Sequence, residues 1–186
     1  MENDIEKLKF PIGKYKAILE FNFSRTIEDI KTLESFANNL RASVKGLDKT
    51  DFKKSYREGG MNIAQIIHHY CDTHTYAFLR TKHTLLEDNP SVKMYEVSEF
   101  LTTPESNVLD VEDSLKVIEG IHAKWVSLLK TLSEDDFNKT YYHSARDKNI
   151  ILHEHVGMYA WHTKHHLVHI GMAKESIKEK GKRSKQ

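Results

Sequence analysis

Cysteine, proline and net charge are scarce in this sequence, and each shortage excludes a class of protein. Cys71 is the only cysteine among 186 residues, so no disulfide can form within the chain and we expect a reducing, cytoplasmic location. The formal net charge is +1, which predicts neither a nucleic-acid nor a membrane partner. We expect no signal peptide, because the opening residues MENDIEKLKF are acidic and contain no long apolar run. No apolar stretch approaches the ~18 residues that would span a bilayer.

Long proline-free spans favour helices over strands. The chain has three prolines, and apolar residues recur at intervals of three and four between Ile27 and Val44, which predicts a first amphipathic helix. Asn62 stands three residues before Gln65, a spacing typical of a capping box. A second helix is therefore expected to begin there and to end before Pro90.

Two further helices are predicted in the second half of the chain. Asp110 can cap a third helix, and a fourth is expected to run from about 150 to 175. The connection over 88–109 is long enough to indicate a functional loop. Residues 140–143 can form a short strand before the last helix.

Four long helices joined by loops indicate a four-helix bundle. We therefore predict an all-α fold with a short β-hairpin before the last helix. The sequence shows no internal repeat, so we expect a single domain over 1–186, with a flexible, basic tail at 178–186.

Histidine is unusually abundant, with 12 residues in the chain. The segment WHTKHH (161–166) contains three of them, and on a helix His162 and His166 lie about 40° apart and opposite Lys164, which is expected to face water. Their Cβ atoms would be roughly 5–6 Å apart, so both imidazoles could bind one metal ion at roughly 2.0–2.1 Å. The alternative is a pair of core histidines satisfied by neighbouring groups, and the spacing alone leaves both interpretations open.

A site with two histidines needs a further ligand, and IIHHYCDTH (66–74) on the second helix is the obvious source. His69 lies closer than His68 to the apolar stripe, which favours His69 as a ligand and places His68 at the surface or behind the ligands. Asp72 either orients an imidazole or is a solvated carboxylate, and Cys71 is expected to be a small buried residue. The histidines that form no pattern are expected at the surface or in polar packing: His74, His83, His122 and His143.

Several segments together resemble the YfiT-like branch of the DinB superfamily. They cover nearly the whole chain in order, and their combination is far more specific than any one motif. The segments are FPIGKY (10–15), SYREGGMNIAQIIHHYCDTH (55–74), AKWVSLLKTL (123–132), YYH (141–143) and GMYAWHTKHHLVHI (157–170). Members of this branch are described as metal-dependent hydrolases, and some as bacillithiol S-transferases.

The resemblance implies a metal centre inside a four-helix bundle. In the family, one histidine ligand ends the His-His pair of the second helix and two come from an H-x-x-x-H on the last helix. Carried onto this chain, these ligands are His69, His162 and His166. The resemblance also implies zinc or nickel as the divalent ion, a small-molecule substrate and a homodimer.

Three neutral ligands would leave coordination positions open, so we expect the reactive group to be metal-bound water or thiolate. The sequence offers no convincing protein general base. Arg57, at the glycine-rich turn before the second helix, is a candidate for binding a substrate carboxylate, or else it forms a surface salt bridge. Tyr95, in the long loop, is a candidate for closing over the pocket, or else it packs within the loop.

Three functions follow, in two classes. The first is an enzyme that transfers a low-molecular-weight thiol such as bacillithiol to an electrophile, as in detoxification. The second is a metal-dependent hydrolase that uses water as the nucleophile. The third is a non-catalytic, stress-associated bundle that binds metal. Dependence of turnover on an added thiol distinguishes the first from the second.

Overall fold

Four long helices form the body of the protein. The computed structural model describes the backbone of residues 2–92 and 97–183. In chain order, the elements of the described part are α1 (Glu2–Lys9), α2 (Phe23–Val44), α3 (Lys49–Phe52), α4 (Ile63–Leu86), β1 (Ser91–Val92), α5 (Val97–Phe100), α6 (Glu112–Leu129), α7 (Glu134–Phe137), β2 (Thr140–His143), β3 (Lys148–Ile151) and α8 (Leu152–Arg183). Helices α2 and α4 each pack against both α6 and α8, so the predicted four-helix bundle is confirmed.

The core of the bundle lies in two apolar clusters along its axis. One contains Phe36 and Tyr70, and the other contains Leu33 and Trp125. The Trp125 indole Nε1 donates a hydrogen bond of 3.0 Å to Thr81 Oγ1, which joins α6 to α4. Because burying a large apolar side chain contributes about 1.5–3 kcal/mol, these clusters fix the rotation of each helix and therefore which side chains face the interior.

The capping box predicted at Asn62 begins α4. The Gln65 backbone N–H donates to Asn62 Oδ1 at 2.8 Å, and the Asn62 backbone N–H donates to Gln65 Oε1 at 3.0 Å. The start of α6 differs by one residue from the prediction, because Val111 occupies the cap position. Asp110 still supports this start, since its Oδ1 accepts from the Glu112 backbone N–H at 3.1 Å.

A small three-stranded sheet precedes α8. Strands β2 and β3 pair antiparallel, from Thr140↔Ile151 to His143↔Lys148, which confirms the predicted hairpin. Strand β1 pairs parallel with β2 through Ser91↔Tyr142 and Val92↔His143, an addition from the long connection that the sequence pattern did not predict.

The last helix is longer than the periodicity indicated. It begins at Leu152 and continues to Arg183, into the stretch predicted to be a flexible tail, and residues 184–186 lie outside the described part. Within the described ranges, α8 and the other helices include none that combines the length and apolar character needed to cross a membrane.

Candidate metal centre

Three histidines from two helices converge inside the bundle. His69 of α4 and His162 and His166 of α8 each offer a ring nitrogen, and these atoms all lie within 4.8 Å of one another. The Nε2 atoms of His69 and His162 are 3.0 Å apart. His69 and His166 are buried, whereas His162 keeps part of its surface accessible to solvent. The structure therefore brings together the three residues that the sequence analysis selected, which we call the triad.

The residues next to the triad fix the register between α4 and α8. Tyr70 follows His69, and its hydroxyl donates to the backbone oxygen of Thr163 at 2.6 Å. Lys164 is exposed, as the helical phase predicted, so His162 and His166 face the interior one turn apart. One buried hydrogen bond thus aligns the two helices within one residue of the triad on each side.

Burial keeps the triad neutral. It lowers the pKa of His69 from 6.5 to about 4, and it holds the pKa values of His162 and His166 well below the usual range. The neighbouring imidazoles add to this lowering through charge repulsion. A metal ion requires neutral imidazole ligands, so at neutral pH the triad is in the protonation state that binds a cation.

A second group of histidines shares His166 with the triad. The ring nitrogens of His165, His166 and His169 also lie within 4.8 Å of one another. His166 Nδ1 is 3.1 Å from His169 Nδ1, and His169 Nε2 donates to the backbone oxygen of Leu8 at 3.0 Å. Both ring nitrogens of His169 are therefore in hydrogen bonds. His169 supports His166, a member of the triad, through one of them.

Two histidines that the sequence analysis placed at the surface or in polar packing lie behind the triad. His74 Nε2 is 3.0 Å from His162 Nδ1, and His74 Nδ1 is 2.8 Å from His122 Nε2. His122 Nδ1 is 2.8 Å from the backbone oxygen of Leu33. His74 and His122 are both buried. Sequence patterns missed this role because contact between α4 and α6 depends on the relative rotation of two helices.

His68 and Asp72, on the same helix as His69, contact groups outside the triad. His68 is buried rather than exposed, with Nε2 donating to Val108 O at 3.1 Å and Nδ1 lying 2.8 Å from Ser114 Oγ. Asp72 is partly buried, which raises its pKa, and the nearby Glu105 carboxylate raises it further. Asp72 was a candidate either for orienting an imidazole or for a solvated carboxylate. In the described part of the chain, the hydrogen bonds to His162 and His166 come from His74 and His169.

Cys71 is partly buried, as expected for a small packing residue. Burial, together with the nearby Asp72 carboxylate, raises the pKa of its thiol. A raised pKa keeps the thiol protonated at neutral pH, which excludes Cys71 as an activated nucleophile.

Arg57 lies near the supporting histidines. The Tyr56 ring stacks on His169 with centroids 3.8 Å apart, and the Arg57 guanidinium lies 5.3 Å from the centre of the Tyr56 ring. Arg57 Nη1 donates to the backbone oxygen of Glu58 at 2.7 Å. Its Nε is buried with no hydrogen-bond partner among the described residues, so Arg57 retains a donor for another group. Tyr95 lies outside the described residues.

His143 and His83, which were expected at the surface or in polar packing, differ in exposure, and His155 is a further buried histidine. His143 is buried, and its Nδ1 accepts from the Arg146 backbone N–H at 3.2 Å. His83 is exposed beside Glu87 on α4. His155 is fully buried, accepts from the Tyr141 hydroxyl at 2.9 Å and donates to the Ala77 backbone oxygen at 3.1 Å. None of these contacts reaches the triad.

A large surface cavity lies away from the histidines. Its volume is about 920 Å³, and its lining includes Arg41 of α2, Lys45 just after α2, Phe52 of α3 and Leu115 of α6. None of its lining residues belongs to the triad or contacts it through the hydrogen bonds described above, so the cavity does not mark the centre.

Comparison with known proteins gives the same fold and family. Residues 32–170 match the DinB superfamily. The chain is 35% identical to "Putative metal-dependent hydrolase GK0616" of Geobacillus kaustophilus, over 89% of this chain and 93% of that protein. It is 30% identical to "Putative metal-dependent hydrolase YfiT" of Bacillus subtilis, over 88% of this chain and 92% of that protein.

A solved structure is also similar over almost its full length. It is described as "YfiT from Bacillus subtilis is a probable metal-dependent hydrolase with an unusual four-helix bundle topology". The TM-score is 0.89 at 29% identity, covering 92% of this chain and 98% of that one. The sequence match, the full-length relatives and the shared bundle agree with the resemblance carried by the sequence motifs. The chain belongs to the DinB superfamily, in its YfiT-like branch.

Proposed function

We propose that this protein is a metal-dependent enzyme in which His69, His162 and His166 hold a divalent cation. The observation that carries this proposal is the 3.0 Å separation of the His69 and His162 Nε2 atoms. Two ligands bound tetrahedrally at roughly 2.0–2.1 Å would lie about 3.3 Å apart, so the side chains are close to ligand geometry. Because these two Nε2 atoms face each other, either a proton or a cation must lie between them.

The donor set fits a catalytic ion better than a structural one. Structural zinc sites are normally closed by four protein ligands, often cysteines, whereas the triad supplies three neutral nitrogens. A divalent ion held there would keep its full charge and an open position, where it would act as a Lewis acid on a nucleophile or an electrophile. Histidine ligands suit several metals, and we propose zinc or nickel.

We propose a low-molecular-weight thiol, such as bacillithiol, as the nucleophile, with an electrophilic small molecule as its acceptor. The supporting observation is that the hydrogen bonds described for the triad come from other histidines and not from a carboxylate base. A thiol that coordinates a metal loses its proton without such a base.

Water is the second candidate nucleophile. The names of the relatives support it, since those proteins are described as metal-dependent hydrolases. Metal coordination lowers the pKa of water to about 7. Water bound to the ion would therefore lose its proton near neutral pH without a strong protein base.

Within this proposal, Arg57 binds an anionic group of the substrate. It lies on the side of the triad formed by His169 and Tyr56, and its buried Nε lacks a partner among the described residues. The guanidinium fork matches a carboxylate in charge and in shape. The stack of Tyr56 on buried His169 would hold that end of the site rigid.

The test compares turnover with and without a thiol. Metal-depleted protein is reloaded with zinc or nickel and assayed with 1-chloro-2,4-dinitrobenzene and monobromobimane, with bacillithiol or without it, and with a panel of esters and amides. We expect S-conjugate formation that requires both metal and thiol. Ester or amide hydrolysis without thiol would replace this proposal with the hydrolase. Metal binding with no turnover in any assay would leave a non-catalytic metal-binding bundle.

Two variants control for contaminating activity. His162→Ala removes a proposed ligand, whereas His165→Ala removes a neighbouring histidine outside the triad. Turnover that survives His162→Ala would not come from the triad. We also propose a homodimer, which sedimentation of the metal-loaded protein tests directly.

A further inference from the structure

We propose that two hydrogen-bonded chains of histidines fix the tautomers of His162 and His166, so that both present Nε2 to the metal before it binds. One chain runs through His74 and His122, and the other through His169. This inference rests on the proposed metal-binding function of the triad. It assigns positioning roles to three histidines that would not themselves contact the ion.

The first chain begins at a main-chain oxygen. Leu33 O can only accept a hydrogen bond, so His122 Nδ1, at 2.8 Å, must carry the proton and donate it. His122 is 2% exposed and its ring packs against those of Phe36, His74 and Trp125. A charged imidazole without a counterion is costly in such surroundings, so His122 is neutral and its Nε2 is an acceptor.

The direction of donation then continues to the triad. His74 Nδ1 lies 2.8 Å from the His122 Nε2 acceptor, so it must donate. His74 has no exposed surface, and as a neutral ring it keeps Nε2 as an acceptor. His162 Nδ1, at 3.0 Å from that acceptor, must therefore carry its own proton. The remaining nitrogen of His162, Nε2, holds a lone pair directed toward His69.

The second chain of histidines fixes the tautomer of His166 by the same reasoning. Leu8 O accepts from His169 Nε2 at 3.0 Å. His169 is 1% exposed, and a buried imidazole without a counterion is neutral, so its Nδ1 is an acceptor. His166 Nδ1 lies 3.1 Å from that atom and must donate. The lone pair of His166 is therefore on Nε2. The Tyr56 ring, stacked on His169 at 3.8 Å, restricts rotation of the supporting imidazole.

Among the three proposed ligands, only His69 must change its tautomer when a metal ion binds. In the metal-free protein its Nε2 lies 3.0 Å from the His162 Nε2 lone pair, so His69 must carry its proton on Nε2 and donate it. Binding a cation at Nε2 moves that proton to Nδ1. His162 and His166 keep their tautomers throughout.

The use of neutral histidines has an electrostatic consequence. Ligating histidines commonly donate their second N–H to a carboxylate, which makes the ligand more basic. A neutral imidazole in that position orients the ligand without adding negative charge near the ion. The centre would therefore remain more electrophilic than one supported by aspartate or glutamate.

The first test observes the tautomers directly. Long-range ¹H–¹⁵N correlation spectra of the metal-free protein should show Nδ1–H tautomers for His74, His122, His162 and His166. They should show Nε2–H tautomers for His69 and His169, and zinc should convert His69 alone. An Nε2–H tautomer at His162 or His166 in the metal-free protein would overturn the inference. Because no substrate is involved, this result is independent of whether the protein is an enzyme.

The second test uses two replacements at His74. Phenylalanine keeps the ring but removes the acceptor, whereas glutamine loses the ring and places Oε1 near the position of Nε2. If His74 positions His162, zinc affinity measured by chelator competition should fall about 10- to 100-fold in His74→Phe. His74→Gln should recover most of that loss. If His74 contributed only by filling space, zinc affinity would be higher in His74→Phe than in His74→Gln. Zinc affinity in His74→Phe equal to or above that in His74→Gln would therefore contradict the inference.

A matched control distinguishes loss of the histidine chain from a general effect of substituting a buried residue. His155 is also fully buried, and it bonds Tyr141 and Ala77 rather than a triad residue. His155→Phe should leave zinc affinity unchanged. An equal loss in His155→Phe and His74→Phe would show a general effect of core substitution and would also contradict the inference. If the unmodified protein binds no zinc, the proposed function fails, while the tautomer spectra still test the two chains.

Discussion

Histidine side chains in this protein differ according to what their second ring nitrogen contacts. In the triad, one nitrogen faces the centre and, for His162 and His166, the other bonds a further histidine. His155 instead uses both nitrogens for a tyrosine and a main-chain oxygen, and His83 is exposed beside a carboxylate. The same residue type therefore serves the centre, the core and the surface.

Removing a triad histidine should remove the metal. In His162→Ala we expect the metal-to-chain ratio after extensive dialysis to fall from stoichiometric to near zero, because only two neutral ligands remain. In His165→Ala the ratio should stay stoichiometric, since His165 stacks on Trp161 and lies outside the triad. Elemental analysis checks both variants. Loss of metal from His165→Ala and not from His162→Ala would move the site to the second group of histidines.

Buried neutral histidines should make the metal-free protein sensitive to acid. Burial lowers the pKa of His155 to about 3, whereas an unfolded histidine binds a proton below about 6.5. As the pH falls from about 6.5 toward 4, the unfolded state gains a proton that folded His155 does not, so stability is lost. Each such histidine contributes a slope of at most about 1.4 kcal/mol per pH unit.

The measurement is the free energy of unfolding by denaturant at several pH values with chelator present. We expect His155→Phe to lose stability less steeply between pH 6.5 and 4 than the unmodified protein. Asn39→Ala, at an exposed position without a titratable group, should keep the original slope. Equal slopes for His155→Phe and the unmodified protein would show that His155 does not remain neutral in the folded state.

The triad could be predicted from the sequence, but its support could not. His162 and His166 lie on one helix, so their shared face follows from the helical repeat, and the apolar stripe favoured His69 over His68. The family resemblance then selected the same three residues. The contacts of His74 with His122, and of His169 with Leu8, join separate elements, and no periodicity specifies how two helices are rotated relative to each other.

At the scale of elements, the long helices follow from local rules. The repeat of apolar residues predicts α2, and the capping box fixes the first turn of α4. Strand β1 has only two residues and depends on pairing with β2, which is about 50 residues later in the chain. Such a short element has no pattern of its own, so the sequence did not predict it.

The capping box of α4 should contribute to stability without controlling the metal site. Asn62→Ala removes the acceptor for the Gln65 backbone N–H and should lower the free energy of unfolding by about 1 kcal/mol. Zinc affinity should change little, because His69 lies in the second turn and is held through Tyr70. Asn39→Ala, at an exposed position inside α2, is the matched control and should cost nothing. Denaturant unfolding measures both, and equal costs would exclude a specific capping effect.

For the whole molecule, a bound metal would join distant parts of the chain. His69 and His162 are separated by 93 positions in sequence, so an ion between them would tie α4 to α8. A ligand that binds only the folded state raises the free energy of unfolding by about 2.7 kcal/mol at 100 times its Kd. We expect zinc to produce a gain of this size in the unmodified protein.

The control for this prediction compares two variants, each of which removes a histidine that belongs to one group only. His69→Ala affects only the triad, and His165→Ala affects only the second group. Zinc should stabilise His165→Ala as it does the unmodified protein, and it should fail to stabilise His69→Ala. Stabilisation of His69→Ala by zinc would show that the ion binds elsewhere.

Both histidine chains end on main-chain oxygens, those of Leu8 and Leu33. Every amino acid carries that oxygen, so no codon change at either position can delete the acceptor itself. Evolution is therefore free to vary the exposed side chain at position 8, and at position 33 it is limited by the room in the core. His74, His122 and His169 have no such protection, because a single nucleotide change can break each link. The two histidine chains therefore tolerate substitution best at the positions that supply main-chain oxygens and least at the histidines themselves.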